Sequence, residues 1–338
     1  PNATNVNVDG FNGGSTLQLM GGDIDLNQQT LNFTSYLNAN QNNIGIDGTP
    51  GDLTRTIRST GGTGTFSVLN SDAAQHSVTI GRMSGNASLL TFGSSTKLIA
   101  AGATANGCID FGNTITTING TFQINGFGCV SGNAPTYGTG ANLVYNSGGN
   151  YDRFLEWSTA SGPGYPYHVT VQNNSTLRLN TPSPNGDADR AMAGNLSIAN
   201  GATLLLSTTA SNKLTVSGNV QIDGNLTLPT TAGGDIYIKG NWNRSATGLF
   251  NHNDRAVFFN GSGKSTITAN GGQLFPYLYL VKNAVTDSLV LLDDISISRE
   301  FAVSAGTFDL AAKNATLKSD ATNTADFGQV GALGNVEI

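Results

Sequence analysis

The chain has 338 residues and a formal net charge of −6, and only 11% of its residues are charged, against about 25% in average soluble proteins. With 44 glycines and few of the Lys, Glu and Arg residues that favour exposed helices, the composition excludes long surface helices. The sixteen Lys and Arg residues do not cluster, so nucleic acid and anionic membranes are excluded as partners. No apolar run of about 18 residues is present to span a bilayer.

Short strands follow one another along the chain. Segments such as KLTVSG, NVQIDG, NLTLPT and DIYIKG alternate apolar and polar residues and stop at a turn residue. This alternation is the pattern of half-buried strands. No segment has the apolar spacing of a helix, so the sequence predicts an all-β protein.

A short repeat consists of Gly-Asn followed by an apolar, a polar and an aliphatic residue. Full or truncated copies begin at Gly194, Gly218, Gly224, Gly240 and Gly334. The step from 194 to 218 is 24 residues and the step from 218 to 240 is 22, whereas the copy at 224 is expected on another face. Such periods predict a right-handed parallel β-helix (β-solenoid) with coils of about 21–24 residues. Leu196, Val220 and Trp242 should then face inwards on related coils.

The competing fold is a β-sandwich array, whose strands recur about every 8–12 residues. We expect the solenoid because a sandwich rarely repeats at about 22 residues. One continuous solenoid is expected over residues 1–338, with longer loops near 145–168 and 180–193.

The two cysteines, Cys108 and Cys129, each follow a glycine. Their separation, 129 − 108 = 21, is close to one coil and would bring their Cα atoms within the roughly 4.4–6.8 Å that a disulfide needs. We expect a buried disulfide, with Gly107 and Gly128 leaving room for the sulfur atoms. Two buried free thiols are the alternative.

The loop expected near 145–168 is rich in aromatic residues. Tyr151, Trp157, Tyr165 and Tyr167 are candidates for a sugar-stacking platform, with packing inside the fold as the alternative.

The loop expected near 180–193 carries the candidate cofactor site. Asn185, Asp187 and Asp189 supply oxygen atoms at alternate positions, as calcium-binding loops do. No Glu follows at the distance of a bidentate ligand, so a solvated turn is the alternative. Asp187 and Asp189, with Arg190, are also the candidates for acid–base chemistry on an acidic sugar. No other metal or cofactor is expected.

The stretch VFFNGSGKSTITANGG, residues 257–272, looks like a phosphate-binding loop, and the later SLVLLDDIS supplies Asp293 and Asp294. A phosphate loop requires G-x-x-x-x-G-K-[ST] between a strand and a helix. Phe258 occupies the first glycine position, and glycines follow where a helix would be needed. We therefore expect two strands joined by a turn, and no nucleotide binding at Lys264.

The segments TYGTGANLVYNSGG and GNWNRSATGLFNHNDRAVFFNGSGKSTI have a cadence that resembles repeats of large secreted surface proteins of gliding Bacteroidota. The resemblance covers residues 60–338. It implies an adhesin-like β-solenoid exported by the type IX secretion system, located at the cell surface and served by secretion and outer-membrane anchoring machinery. The sorting domain of such proteins is not visible, so we expect a fragment of a longer chain.

The function expected from these features is that of a non-enzymatic cell-surface structural protein or adhesin, a β-helical shaft or adhesive segment that contacts a surface or a polysaccharide. The alternative is a carbohydrate-active β-helix, either a polysaccharide lyase or hydrolase or a sugar-binding module around Trp157. A lyase would need an acidic groove with a nearby Lys or Arg.

Overall fold

The computed structural model describes residues 5–9, 16–18, 23–35, 42–45, 54–70, 76–81, 89–112, 115–180, 186–207, 211–328 and 333–337. It divides into two compact units, Pro1–Ser175 and Thr176–Ile338. Each unit is a stack of parallel strands wound as a β-solenoid, as the sequence predicted. The sandwich alternative is wrong, because sandwiches are built from antiparallel sheets and the strand pairs of the described residues are parallel.

The first unit contains sixteen described strands and one turn of 3-10 helix, Leu155–Trp157. The strands are β1 (Asn5–Asp9), β2 (Thr16–Gln18), β3 (Ile24–Asp25), β4 (Thr30–Ser35), β5 (Asn42–Gly45), β6 (Thr54–Arg58), β7 (Gly64–Asn70), β8 (His76–Gly81), β9 (Leu89–Phe92), β10 (Thr96–Asp110), β11 (Ile115–Ile118), β12 (Thr121–Ser131), β13 (Thr136–Tyr137), β14 (Asn142–Asn146), β15 (Asn150–Asp152) and β16 (His168–Val171).

The second unit contains eighteen described strands. They are β17 (Thr176–Asn180), β18 (Arg190–Met192), β19 (Leu196–Ile198), β20 (Thr203–Ser207), β21 (Leu214–Val216), β22 (Val220–Ile222), β23 (Asn225–Thr227), β24 (Ile236–Ile238), β25 (Trp242–Arg244), β26 (Leu249–Asn251), β27 (Ala256–Phe259), β28 (Lys264–Thr268), β29 (Gln273–Val281), β30 (Ser288–Leu291), β31 (Ile295–Asp309), β32 (Ala315–Leu317), β33 (Asp326–Phe327) and β34 (Leu333–Glu337).

Successive coils place their strands in parallel rows. In the first unit, one row runs β1–β4–β7–β10–β12–β14–β16, a second runs β2–β5–β8–β10, and a third runs β3–β6–β9–β11–β13. In the second unit three rows run β18–β21–β24–β27–β29–β31, β19–β22–β25–β28–β30–β31 and β17–β20–β23–β26. The Gly-Asn copy at 224 therefore lies on another face, as expected.

The coil length varies more than the sequence predicted. Val220 pairs with Trp242, which gives 242 − 220 = 22 residues. Near the start of the chain, Thr30 pairs with Thr65 and Thr65 with Lys97, which gives 65 − 30 = 35 and 97 − 65 = 32. The predicted range of 21–24 is wrong there. The two paired strands are not themselves longer, since β4 and β7 have only 6 and 7 residues.

Inward-facing side chains form the core of each unit. Along β7 buried and half-buried residues alternate strictly, because neighbouring side chains of a strand point to opposite faces. In the second unit, Leu196 pairs with Val220 and Val220 with Trp242, and all three are fully buried. This stack confirms the predicted repeat alignment. Burial of each such side chain stabilises the fold by roughly 1.5–3 kcal/mol.

The Gly-Asn pairs of the repeat form a ladder of hydrogen bonds between coils. The Asn195 side-chain oxygen accepts the backbone N–H of Asn219 (2.9 Å), and the Asn219 oxygen accepts that of Asn241 (2.8 Å). A Cβ atom at Gly218 would lie 2.3 Å from the Asn195 oxygen, and one at Gly240 would lie 2.4 Å from the Asn219 oxygen. The repeat therefore needs asparagine to accept the hydrogen bond, and it needs glycine because a larger residue would overlap the asparagine oxygen.

A disulfide joins two neighbouring coils of the first unit. Cys108 pairs in register with Cys129, their Cα atoms are 4.3 Å apart, and both residues are fully buried. The predicted bridge is therefore present. The predicted role of the preceding glycines is wrong, because Cβ atoms at Gly107 and Gly128 would meet the carbonyl oxygens of Ala101 (2.1 Å) and Ala100 (1.9 Å) rather than the sulfur atoms.

Candidate functional site

The stretch that looks like a phosphate loop forms a strand, a turn and a strand, as predicted. Ala256–Phe259 and Lys264–Thr268 are strands β27 and β28, and no helix follows. Gly263 adopts a left-handed φ of 73° in the turn, and Lys264 is exposed. The backbone is therefore not arranged as a phosphate cradle.

The aspartates beyond this stretch cap backbone groups of neighbouring coils. Asp293 accepts hydrogen bonds from the N–H groups of Ala269 (2.7 Å) and Asn270 (3.0 Å). Asp294 accepts the N–H of Asn314 at 2.8 Å, which lowers the pKa of its carboxyl group. Both carboxylates therefore have a structural role, because each satisfies backbone donors of a neighbouring coil.

The acidic loop of the second unit has structural partners. Asp189 accepts the backbone N–H of Lys213 (3.1 Å) and pairs with its ammonium group (3.4 Å). Asp187 is exposed, and Asn185 lies outside the described residues, so calcium binding by this set stays a prediction. Arg190 is 2% exposed and donates to the carbonyl oxygens of Asp189 and Gly186. A buried guanidinium cannot reach a polysaccharide, so Arg190 is not a candidate lyase residue.

The predicted sugar-stacking platform does not form on Tyr151 and Trp157. Tyr151 is 4% exposed and Trp157 is fully buried, so neither presents a ring face to a ligand. Tyr165 and Tyr167 are half-buried, and for them the prediction is untested. The packing alternative is correct for the first two rings.

A buried glutamate, Glu156, accepts hydrogen bonds from residues of the aromatic-rich stretch 145–168. Glu156 is fully buried, and its carboxyl oxygen Oε1 accepts hydrogen bonds from the N–H of Phe154 (2.9 Å) and from the hydroxyl groups of Tyr151 (3.2 Å) and Tyr145 (3.3 Å). Tyr137 donates to the Glu156 carbonyl at 2.8 Å. Burial raises the pKa of the Glu156 carboxyl group. No sequence pattern predicts this cluster, because its members meet only when coils stack.

The most distinctive outward-facing feature is a column of aromatic rings in the second unit, which we call the aromatic ladder: Tyr237, Phe258 and Tyr279. Register places the three residues on successive coils, in β24, β27 and β29. The ring centroids of Tyr237 and Phe258 are 4.4 Å apart with planes at 4°, and those of Phe258 and Tyr279 are 4.7 Å apart at 21°. All three residues are half-buried, and the residues beside them in each strand are buried. The three rings therefore lie on the outward side of the sheet.

Polar groups fix both ends of the aromatic ladder. The Lys213 ammonium lies 5.4 Å from the centroid of the Tyr237 ring, within cation–π range. At the other end, the Tyr279 hydroxyl donates to Glu300 (2.9 Å). Burial, followed by this hydrogen bond, raises the pKa of Tyr279, so the phenol stays protonated at neutral pH. The Tyr277 ring lies beside it, with centroids 6.3 Å apart.

The aromatic ladder is suited to contact with another surface. Rings held by stacking lose little conformational entropy when they are covered, and tyrosine combines an apolar body with a polar tip. The aromatic ladder was not predicted, although the sequence contains a signal for it: the three aromatics recur at one coil length, 258 − 237 = 21 and 279 − 258 = 21.

A surface cleft of about 290 Å³ lies in the first unit, lined by residues that include Ile115, Thr136 and Pro163. Its volume is at the lower limit of small-molecule sites. The outer faces of the coils are therefore stronger candidates for function than this cleft.

Comparison with family models, curated proteins and solved structures finds no match for this chain. Among the described residues, no helix is long and apolar enough to cross a bilayer. The same part of the chain contains no group of three or more His, Cys, Asp or Glu side chains arranged for a metal ion. The proposed function below therefore rests on the fold and on the side chains of its outward faces.

Proposed function

We propose that the protein is a non-enzymatic, extracellular structural and adhesive protein of a cell surface. In this proposal the stacked coils form a stiff support, and outward side chains make the contacts. The observation that carries it is the aromatic ladder, which presents three mutually stacked rings on successive coils. Tyrosine and other aromatics contribute a large share of binding energy in protein interfaces.

Two further observations support an extracellular location. A buried disulfide joins the coils of Cys108 and Cys129, and such bonds persist in oxidising compartments. The repeat cadence of residues 60–338 resembles surface proteins exported by the type IX system of gliding bacteria. Export by that system, and a part in gliding motility, are included in the proposal on the strength of the resemblance.

Adhesion under flow tests the proposal. Beads coated with the protein are compared with beads coated with a ladder variant that carries Tyr237→Thr, Phe258→Thr and Tyr279→Thr. Threonine keeps the strand propensity of these outward positions. The matched control is Thr215→Ser, at the outward position that precedes Tyr237 in the same column.

The expected result is retention of wild-type and control beads on glass, on cellulose film or on bacterial lawns, and loss of retention for the ladder variant. Equal release of all beads would refute an adhesive function. Accumulation of reducing or unsaturated sugar ends during incubation with a polysaccharide would instead favour the carbohydrate-active alternative.

A further inference from the structure

A column of four threonines faces outwards in the first unit, on the sheet that contains β6, β9, β11 and β13. Thr56 pairs with Thr91, Thr91 with Thr117, and Thr117 with Thr136. All four are half-buried, whereas the inward neighbour Ile118 is fully buried. The same side chain is therefore presented to solvent on four successive coils.

This column repeats a hydroxyl group and a methyl group at a regular interval. Neighbouring strands of a sheet lie about 4.7–4.9 Å apart, and β-branched side chains have few rotamers, which favours the same orientation on each coil. Among the described residues, none of the four threonine hydroxyls has a hydrogen-bond partner in the protein.

Two aliphatic side chains lie beside the threonine column on the same outward side of the sheet. Leu89 and Ile115, two residues before Thr91 and Thr117, are 42% and 54% exposed. We call these side chains together the threonine face: Thr56, Thr91, Thr117, Thr136, Leu89 and Ile115. None of them is ionisable. Arg58 and Asp25, at the edge, pair with each other at 3.6 Å.

We propose that the threonine face binds ice. A crystal of water is a neutral, repeating ligand, and an array of hydroxyl and methyl groups at a constant interval matches such a lattice. The hydroxyls bond to water molecules, and the methyl groups and aliphatic neighbours order the water between them. The six side chains of the threonine face carry no charge, and Arg58, which follows Thr56 by two residues, is paired with Asp25; such a face complements a lattice without charge. This function lies on a different surface from the aromatic ladder and does not depend on adhesion through it.

A neutral polysaccharide is another uncharged ligand with a repeating structure. Sugar sites, however, typically place aromatic rings beside a few polar groups. The threonine face has no aromatic ring among its members, and Ile115 and Thr136 at one end of it also line the surface cleft of the first unit. Ice is therefore the ligand that this face fits better.

The test uses the purified protein in assays of ice recrystallisation and thermal hysteresis. Thr91→Tyr and Thr117→Tyr each place a bulky ring in the middle of the face, and Thr117→Val removes one hydroxyl but keeps the shape. Thr121→Tyr is the matched control, because Thr121 is a half-buried threonine on the next strand, β12. Circular dichroism and the intact disulfide verify that each variant is folded.

The expected result is slower growth of ice grains and measurable hysteresis for the wild type and Thr121→Tyr, partial loss for Thr117→Val, and loss for the two central tyrosine variants. No effect of the wild type on ice would overturn the proposal, and so would activity that survives in both tyrosine variants. Retention on microcrystalline cellulose that is lost in those variants, with no effect on ice, would assign the face to a polysaccharide instead.

Discussion

Asn219 accepts a hydrogen bond from the backbone N–H of Asn241 on the next coil at 2.8 Å, and no Cβ atom fits at Gly240 beside it. The pair explains why the sequence repeats Gly-Asn at the interval of a coil. An Asn side chain immediately before one strand accepts the backbone N–H of the residue immediately before the strand stacked on it.

Removal of this acceptor should destabilise the second unit. Asn219→Ala leaves the N–H of Asn241 without its partner and should lower the free energy of unfolding by about 1–3 kcal/mol. Gly240→Ala should also destabilise, because its Cβ would lie 2.4 Å from the Asn219 oxygen. Urea denaturation measures both effects. Asn243→Ala is the control, since this half-buried residue of β25 forms no side-chain hydrogen bond with the described residues. An equal loss of unfolding free energy in Asn243→Ala would contradict the stabilising role of the Asn219 hydrogen bond.

The disulfide should survive isolation of the protein and contribute to stability. Unfolding without reductant should expose no thiol that can be alkylated, and unfolding with reductant should expose two, as measured by intact mass. The double variant Cys108→Ala, Cys129→Ala should lose about 3 kcal/mol, because opening the loop increases the entropy of the unfolded chain. Two alkylated cysteines in the unreduced, unfolded protein would contradict the structure.

The buried Glu156 should make stability depend on pH. Its folded pKa is raised by burial, above the value of about 4.3 expected in the unfolded chain. Its contribution is therefore complete below about pH 4.3 and is lost as the pH rises through the folded pKa. The groups that face it are Tyr137, Tyr145, Tyr151 and Arg153, and burial also raises the pKa of the three phenols, so these stay neutral.

Glu156→Gln isolates this effect, because the amide oxygen can still accept the bonds from Phe154 and Tyr151. The wild type and the variant should have similar Tm values at pH 4, and the variant should become the more stable of the two as the pH is raised to 8. Calorimetry at a series of pH values measures the difference. A wild type that gains stability relative to the variant over this range would show that the carboxylate is stabilised in the fold.

Lys264 should bind no nucleotide. Its turn lies between two strands and lacks the helix that would complete a phosphate site. Equilibrium dialysis with ATP and Mg²⁺ should therefore show no saturable binding, and Lys264→Ala should behave as the wild type. Saturable binding that disappears in the variant would contradict this interpretation.

The sequence predicted features that depend on the spacing of one coil and missed those that depend on how side chains meet across coils. The inward stack of Leu196, Val220 and Trp242 and the bridge of Cys108 and Cys129 both follow from such spacing. The burial of Trp157 does not, because it depends on packing around a 3-10 turn whose neighbour Glu156 bonds to tyrosines of other strands. The predicted coil length was wrong near the start of the chain, because the Gly-Asn repeat from which it was read lies in the second unit, whereas β4 and β7 of the first unit pair at an interval of 35 residues.

The aromatic ladder was missed for a different reason. Each ring has an ordinary strand context, and the recurrence of the three aromatics at 21 residues identifies a stack only once β24, β27 and β29 are known to be neighbours in register. Outward residues that recur at the coil interval are thus as informative in a solenoid as inward ones.

Hydroxyl-radical footprinting of the protein, free and adhering to a surface, tests the central claim most directly. If the aromatic ladder makes the contact, Tyr237, Phe258 and Tyr279 should be oxidised in the free protein and protected on adhesion, while the buried Trp157 should be unreactive in both states. Adhesion without protection of the three rings would contradict the account.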